Sequence, residues 1–84
     1  MTIKVLGSGC TNCKTLERRT LEALDELRVR ADVEKVQDVK EIASFGLMHT
    51  PGLVIDGKVV SQGGVPSVEI LKEIIAREFA AAQS

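Results

Sequence analysis

The 84-residue chain predicts one small α/β domain, residues 1–84, with the element order βαβαββα. Three observations carry that expectation. Thr2 to Leu6 alternates and is rich in β-branched residues, and it is followed by an amphipathic helical stretch and a second strand-like run, the pattern of a βαβ unit. Asp56-Gly57 separates two apolar runs of strand length, a strong short-range signal for a tight hairpin. Pro66-Ser67 then opens a last segment with helical apolar spacing.

Taken in order, the strand at Thr2–Leu6 runs into the turn Gly7-Ser8-Gly9. A helix is predicted from Thr11 to about Arg28, with Leu16, Leu21, Leu24 and Leu27 as its apolar stripe and Glu17, Arg18, Glu22 and Glu26 facing water. Ala31 to Val36 reads as the second strand. Asp38-Val39-Lys40-Glu41 has the look of a capping box that opens a short helix, and Gly46 is the natural place for that helix to stop. Leu53-Val54-Ile55 and Lys58-Val59-Val60 are the hairpin strands. Val68, Leu71, Ile75 and Phe79 keep helical spacing in the final helix, and Ala80 to Ser84 are expected to fray.

Composition narrows the function classes. With 44% hydrophobic residues the chain can bury a core without disulfide or metal staples, so the two cysteines need not be structural. Eleven basic against twelve acidic side chains give a net charge of -1, which offers no electrostatic footprint for a nucleic-acid backbone or an anionic membrane. Phe45 and Phe79 are the only aromatic residues, too few for base stacking. No apolar run reaches a membrane span, and the first residues lack the layout of a signal peptide, so the expected address is the cytoplasm, where thiols stay mostly reduced.

Cys10-Thr11-Asn12-Cys13 sets two thiols three residues apart at the start of the first helix, close enough for a disulfide. Unpaired backbone N–H groups and the helix dipole favour an anion there, which makes Cys10 the expected nucleophile. Cys13, one turn further in beside the apolar stripe, would be less exposed and would resolve a mixed disulfide. Metal binding is the rival use of the same thiols. Gly9-Cys10-Thr11-Asn12-Cys13 also resembles the G-M-x-C-x-x-C loop of heavy-metal-associated domains, with Ser8 where their methionine stands. Those domains run βαββαβ and end in a strand. Two Cys and His49 give at most three ligands, short of a closed zinc site, while two-coordinate soft-metal binding stays open.

The second half separates these readings. Thr50-Pro51 stands directly before an apolar strand, where a proline costs a ladder donor. Together with the upstream C-x-x-C, the segment Thr50-Pro51-Gly52-Leu53-Val54-Ile55-Asp56-Gly57 resembles the cis-proline strand and hairpin of the thioredoxin fold. Within that superfamily the chain is most similar to the small thioredoxin-like, glutaredoxin-like redox-active disulfide proteins, whose pattern runs G-x-G-C-x-x-C and then G-L-x-x-x-P-G-L-x-x-D-G. Here those motifs are Gly7 to Cys13 and Gly46 to Gly57. The resemblance implies a four-stranded mixed sheet, order 2-1-3-4, flanked by helices, with the first two strands parallel and the hairpin antiparallel to them.

It also implies a thiol–disulfide oxidoreductase that exchanges a Cys10–Cys13 dithiol or disulfide with protein or small-molecule disulfides. Cys10 would attack, Cys13 would resolve, Pro51 would be cis and face them, and the Thr50 backbone would meet an extended substrate. Gly63-Gly64 resembles the diglycine with which glutaredoxins approach glutathione, although turn glycines are the simpler reading. The redox-active disulfide Cys10–Cys13 would serve without any cofactor or metal. The expected partners are a disulfide-containing protein and a separate reductase, with no nucleic acid or membrane, and the chain is expected to be a monomer. The alternative is a soft-metal or metalloid carrier using the same two thiols. Thioredoxins carry Trp before the motif and Gly-Pro inside it, where this chain has Gly9 and Thr11-Asn12.

The remaining candidates have plainer explanations. Gly7-x-Gly9-x-x-Asn12 lacks the third glycine of a dinucleotide fingerprint. His49 lies near Pro51 and is read first as an exposed loop residue, second as a modulator of Cys10. Lys14 is read as solvated, and Asp38 and Glu41 as helix caps.

Overall fold

In the computed structural model, which describes residues 1–9 and 11–83, the β-branched segment Thr2–Leu6 forms strand β1 inside a four-stranded sheet. After it come α1 (Thr11–Leu27), β2 (Asp32–Val36), α2 (Val39–Ser44), β3 (Gly52–Ile55), β4 (Lys58–Gln62) and α3 (Val68–Gln83). The sheet order is β2-β1-β3-β4, as expected, and the last element is a helix. β1 pairs in parallel with β2 (Val5 opposite Lys35, Leu6 opposite Val36) and antiparallel with β3 (Val5 opposite Leu53, Leu6 opposite Gly52). The β3–β4 register slips by one between Leu53 and Val54.

Both faces of the sheet are covered, which is why every residue of β3 is buried. On one face Ile3, Val5, Leu53 and Ile55 pack with Leu16, Ala23 and Leu24 of α1 and Leu71 and Ile75 of α3. On the other, Leu6, Val36 and Val54 pack under Ile42, Phe45 and Leu47. Among the described residues no helix is long and apolar enough to cross a membrane.

The buried stripe of α1 differs from the expected leucine set. It is Cys13, Leu16, Thr20, Ala23 and Leu24, while Leu21 is 50% exposed. At about 100° per residue, Leu21 is turned well away from Thr20. Thr20 can take the inner position because its hydroxyl donates to the Leu16 carbonyl at 2.7 Å. On α3, Phe79 at 37% exposure stands outside the stripe and Ile74 packs against the core in its place. That helix also runs on to Gln83, past the expected fraying point, through alanines of high helix propensity.

Turn chemistry fixes the connections. Asp38 caps α2 by accepting from the Lys40 N–H at 3.0 Å, but Glu41 does not complete the expected box. Its carboxylate lies 3.7 Å from the Lys4 ammonium, which also stands 5.4 Å from the centre of the Phe45 ring. Asp56 and Gly57 both have positive φ (+49° and +84°), the geometry that matches the twist of a two-residue hairpin. Asp56 also ties the hairpin to the start of β1, accepting through Oδ1 from the Thr2 N–H at 2.8 Å.

Two contacts seat α3 and its entry loop on α1. Arg19 Nη1 donates to the carbonyls of Val65 (3.2 Å) and Pro66 (3.3 Å). Lys72 bridges Glu26 at 3.0 Å and Glu69 at 3.1 Å, and these hydrogen bonds, that to Glu26 first, hold its pKa above the ordinary lysine value.

The end of α1 carries a testable irregularity. Arg28 has φ +57°, and the Arg28 and Val29 N–H groups donate to the Asp25 and Leu24 carbonyls, both at 3.1 Å, in a Schellman arrangement. A left-handed backbone costs a non-glycine residue roughly 1–2 kcal/mol, partly offset by the greater unfolded-chain entropy of glycine. Arg28→Gly is therefore expected to raise stability by about 0.5–1 kcal/mol in urea unfolding. A loss of stability would show that the Arg28 side chain makes a compensating contribution.

Candidate active site

At the end of β1 the chain turns toward α1 through Gly7, whose N–H donates to the Val36 carbonyl at 2.9 Å and so extends the β1–β2 pairing by one bond. Gly7 is buried, and a Cβ placed on it would overlap Cys13 Sγ and lie 3.9 Å from Pro51 Cα. Cys13 itself is 6% exposed on the first turn of α1, at the head of the buried stripe. Gly7 is thus the thin wall against which both Cys13 and Pro51 lie. The sequence suggests turn geometry for Gly7 and Gly9 alike, but only Gly9 has a positive φ, +85°. What Gly7 supplies is space.

Pro51 approaches from the β3 side. The Thr50–Pro51 peptide bond is cis, as expected, and the proline side chain is fully buried. Its carbonyl accepts from the Gly63 N–H at 2.9 Å, which clamps the start of β3 to the end of β4. Gly63 has φ +83°, and a Cβ there would come within 3.1 Å of His49 Cβ, so the turn reading of this glycine has a structural basis. Gly64 has open space around it. Met48, His49 and Thr50 are exposed, Met48 at 81%, so the segment passes from surface to core within one residue at Pro51.

Of the residues singled out from sequence, the structure brings together Cys13 and Pro51 beside Gly7, places Gly63 against Pro51, and leaves Thr50 exposed at the rim. Cys10 lies outside the described residues, and so does the expectation that it heads α1 as the accessible thiol.

A further feature was not singled out from the sequence. On the β2 side of Cys13 a cleft of about 300 Å³ is lined by Gly7, Gly9, Cys13, Lys14, Lys35 and Gln37. Lys35 reaches it from an edge strand and Gln37 from the loop that follows. The Gln37 amide packs close to Gly9, with Nε2 3.1 Å from where a Cβ would stand. Lys14 is exposed, as expected, yet belongs to this wall. Only the pairing of β2 with β1 brings Lys35 here, so no local spacing announces it. Among the described residues no three His, Cys, Asp or Glu side chains converge on a point that would hold a metal ion.

Comparison with known proteins agrees with this architecture. The thioredoxin domain family matches residues 1–76. A thioredoxin of Methanothermobacter thermautotrophicus is 40% identical over 76 residues, covering 90% of this chain and 99% of that protein. A thioredoxin of Methanocaldococcus jannaschii is 39% identical over 71 residues, covering 84% of this chain and 81% of its own length. The match takes in the whole sheet, the Cys13 turn and the Pro51 strand, and on that ground the chain belongs to the thioredoxin family, a family of thiol–disulfide oxidoreductases.

Proposed function

We propose that this chain reduces disulfides on proteins through a Cys10–Cys13 pair in which Cys10 attacks and Cys13 resolves. The observation that carries the reading is the burial of Cys13 against Gly7 on the first turn of α1. A thiol so placed is screened from bulky substrates, and it stands three residues after Cys10 in the chain. Cys10 thiolate would attack one sulfur of the substrate disulfide, forming a mixed disulfide and releasing one substrate thiolate, which takes up a proton. Cys13, as thiolate, would then attack the Cys10 sulfur, closing the protein disulfide and releasing the second substrate thiol. Two electrons from a separate reductase would restore the dithiol.

The rim supports the substrate side of this reading. Thr50 is exposed beside buried Pro51, so its backbone would be available to an extended peptide. Gly63 and Gly64 present no side chains there, which leaves room for a substrate thiol. The reaction would need no metal or organic cofactor and would suit a monomer in the cytoplasm.

Cys13→Ser tests the assignment. With a disulfide-bearing peptide as substrate, the variant is expected to form one stoichiometric mixed disulfide through Cys10 and to stop there, because the resolving attack is lost. Multiple turnover by the variant at the parent rate, or an adduct that fails to form, would overturn the roles.

A further inference from the structure

We propose that the cleft beside Cys13 binds the anionic arm of a low-molecular-weight disulfide, so that small acidic disulfides are preferred substrates of the same thiol pair. This rests on the exchange reading above and adds a substrate class to it. The sheet order separates the cleft from the protein-binding rim, because β2 and β3 flank β1 on opposite sides. Pro51 and Thr50 belong to the β3 side, and the cleft belongs to the β2 side.

Its chemistry is cationic and hydrogen-bonding. Lys14 and Lys35 supply ammonium groups, Gln37 an amide, and Cys13 part of the wall, while among the described residues no carboxylate lines the cleft. Glu17 stands 3.8 Å from Lys35 Nζ, a loose approach beside the 3.0 and 3.1 Å contacts that hold Lys72. An ammonium has three donors, so this partner leaves Lys35 able to meet an incoming anion. The opening of about 300 Å³ admits a small molecule and excludes a folded protein. The cleft also adjoins the reacting pair on two counts: Cys13 forms part of it, and Gly9, another wall residue, is bonded to Cys10 in the chain.

The step balances as ordinary exchange. The dithiol gives two electrons and two protons to a disulfide R–S–S–R, which leaves as two thiols R–SH, and the protein keeps the Cys10–Cys13 disulfide. The carboxylates of R stay ionised throughout and serve only to hold the molecule against Lys14 and Lys35.

Three disulfides of similar size test this: 3,3'-dithiodipropionate (two carboxylates), bis(2-hydroxyethyl) disulfide (neutral) and cystamine (two ammonium groups). The reduced parent protein is expected to turn over the dianion about tenfold faster, in kcat/KM, than the neutral compound, the sum of two partly exposed ion pairs. That ratio should fall toward one in Lys14→Gln/Lys35→Gln, recover with Lys35→Arg, and shrink at high salt. Thiodipropionate, a thioether that cannot exchange, separates binding from chemistry: its titration should move the amide resonances of Gly9, Lys14, Lys35 and Gln37. Equal rates for all three disulfides, or no amide shifts at the cleft, would overturn the cleft proposal and leave protein disulfide exchange standing. Reduction of none of the three, with thiodipropionate still shifting the cleft amides, would instead bring down the exchange reading on which the substrate assignment rests, and the assignment with it.

Discussion

Gly7→Ala is expected to slow multiple-turnover disulfide exchange by about 10²-fold while every cysteine is retained, since a misplacement near 1 Å can cost that much in a step that depends on alignment. The new methyl would coincide with Cys13 Sγ, so either the sulfur rotates away or the first turn of α1 moves. Neither leaves the resolving thiol where it lies in the parent. Overpacking of this kind also costs stability, about 1–3 kcal/mol, so a control of similar cost is needed. Gly46→Ala provides it. Gly46 has φ +76° with open space around it, and alanine there is strained by the backbone alone, with no neighbouring atom to displace. The expected pattern is a stability loss in both variants and a rate loss only in Gly7→Ala, read from thermal melts beside exchange kinetics. Parent-like exchange in Gly7→Ala would show that the position of the Cys13 sulfur does not limit the reaction.

That contrast also marks what was legible in the sequence. The element order came from local chemistry: β-branched alternation at Thr2–Leu6, the Asp56-Gly57 turn, the Asp38 cap and the stop at Gly46 each act within a few residues. Cys13 and Pro51 were legible because two motifs fall at matching places along the chain. What stayed hidden depends on contacts across the fold. Gly7 reads as any turn glycine, and only the fold brings Cys13 and Pro51 up to the space where its side chain would stand. Lys35 and Gln37 reach the cleft only because β2 lies beside β1. Leu21 was misplaced for a related reason: hydrophobicity marked it as core, whereas Thr20, satisfied by its own helix, held the inner position.

The same misplacement sets up the largest stability effect. Leu16→Ala and Leu21→Ala remove the same atoms from one helix, but Leu16 is fully buried in the α1–sheet core and Leu21 is half exposed. Truncating a buried leucine costs about 2–5 kcal/mol, against roughly 1 kcal/mol for a half-buried one. A domain of this size is stable by only about 4–13 kcal/mol, so Leu16→Ala alone removes a large share. At about 4–8 °C per kcal/mol, its melting temperature should fall by roughly 8–40 °C, several times the shift for Leu21→Ala. Leu16 lies one turn along α1 from Cys13, in the same buried stripe, so the loss should reach the site before global unfolding. Alkylation of Cys13, in a background where Cys10 is replaced by serine, should accelerate in Leu16→Ala under native conditions and change little in Leu21→Ala. Equal stability losses in the two variants would mean that the buried stripe of α1 is the leucine face after all. Unchanged Cys13 alkylation in Leu16→Ala would mean that the first turn of α1 is held by Gly7 and Pro51 without help from the core beneath it.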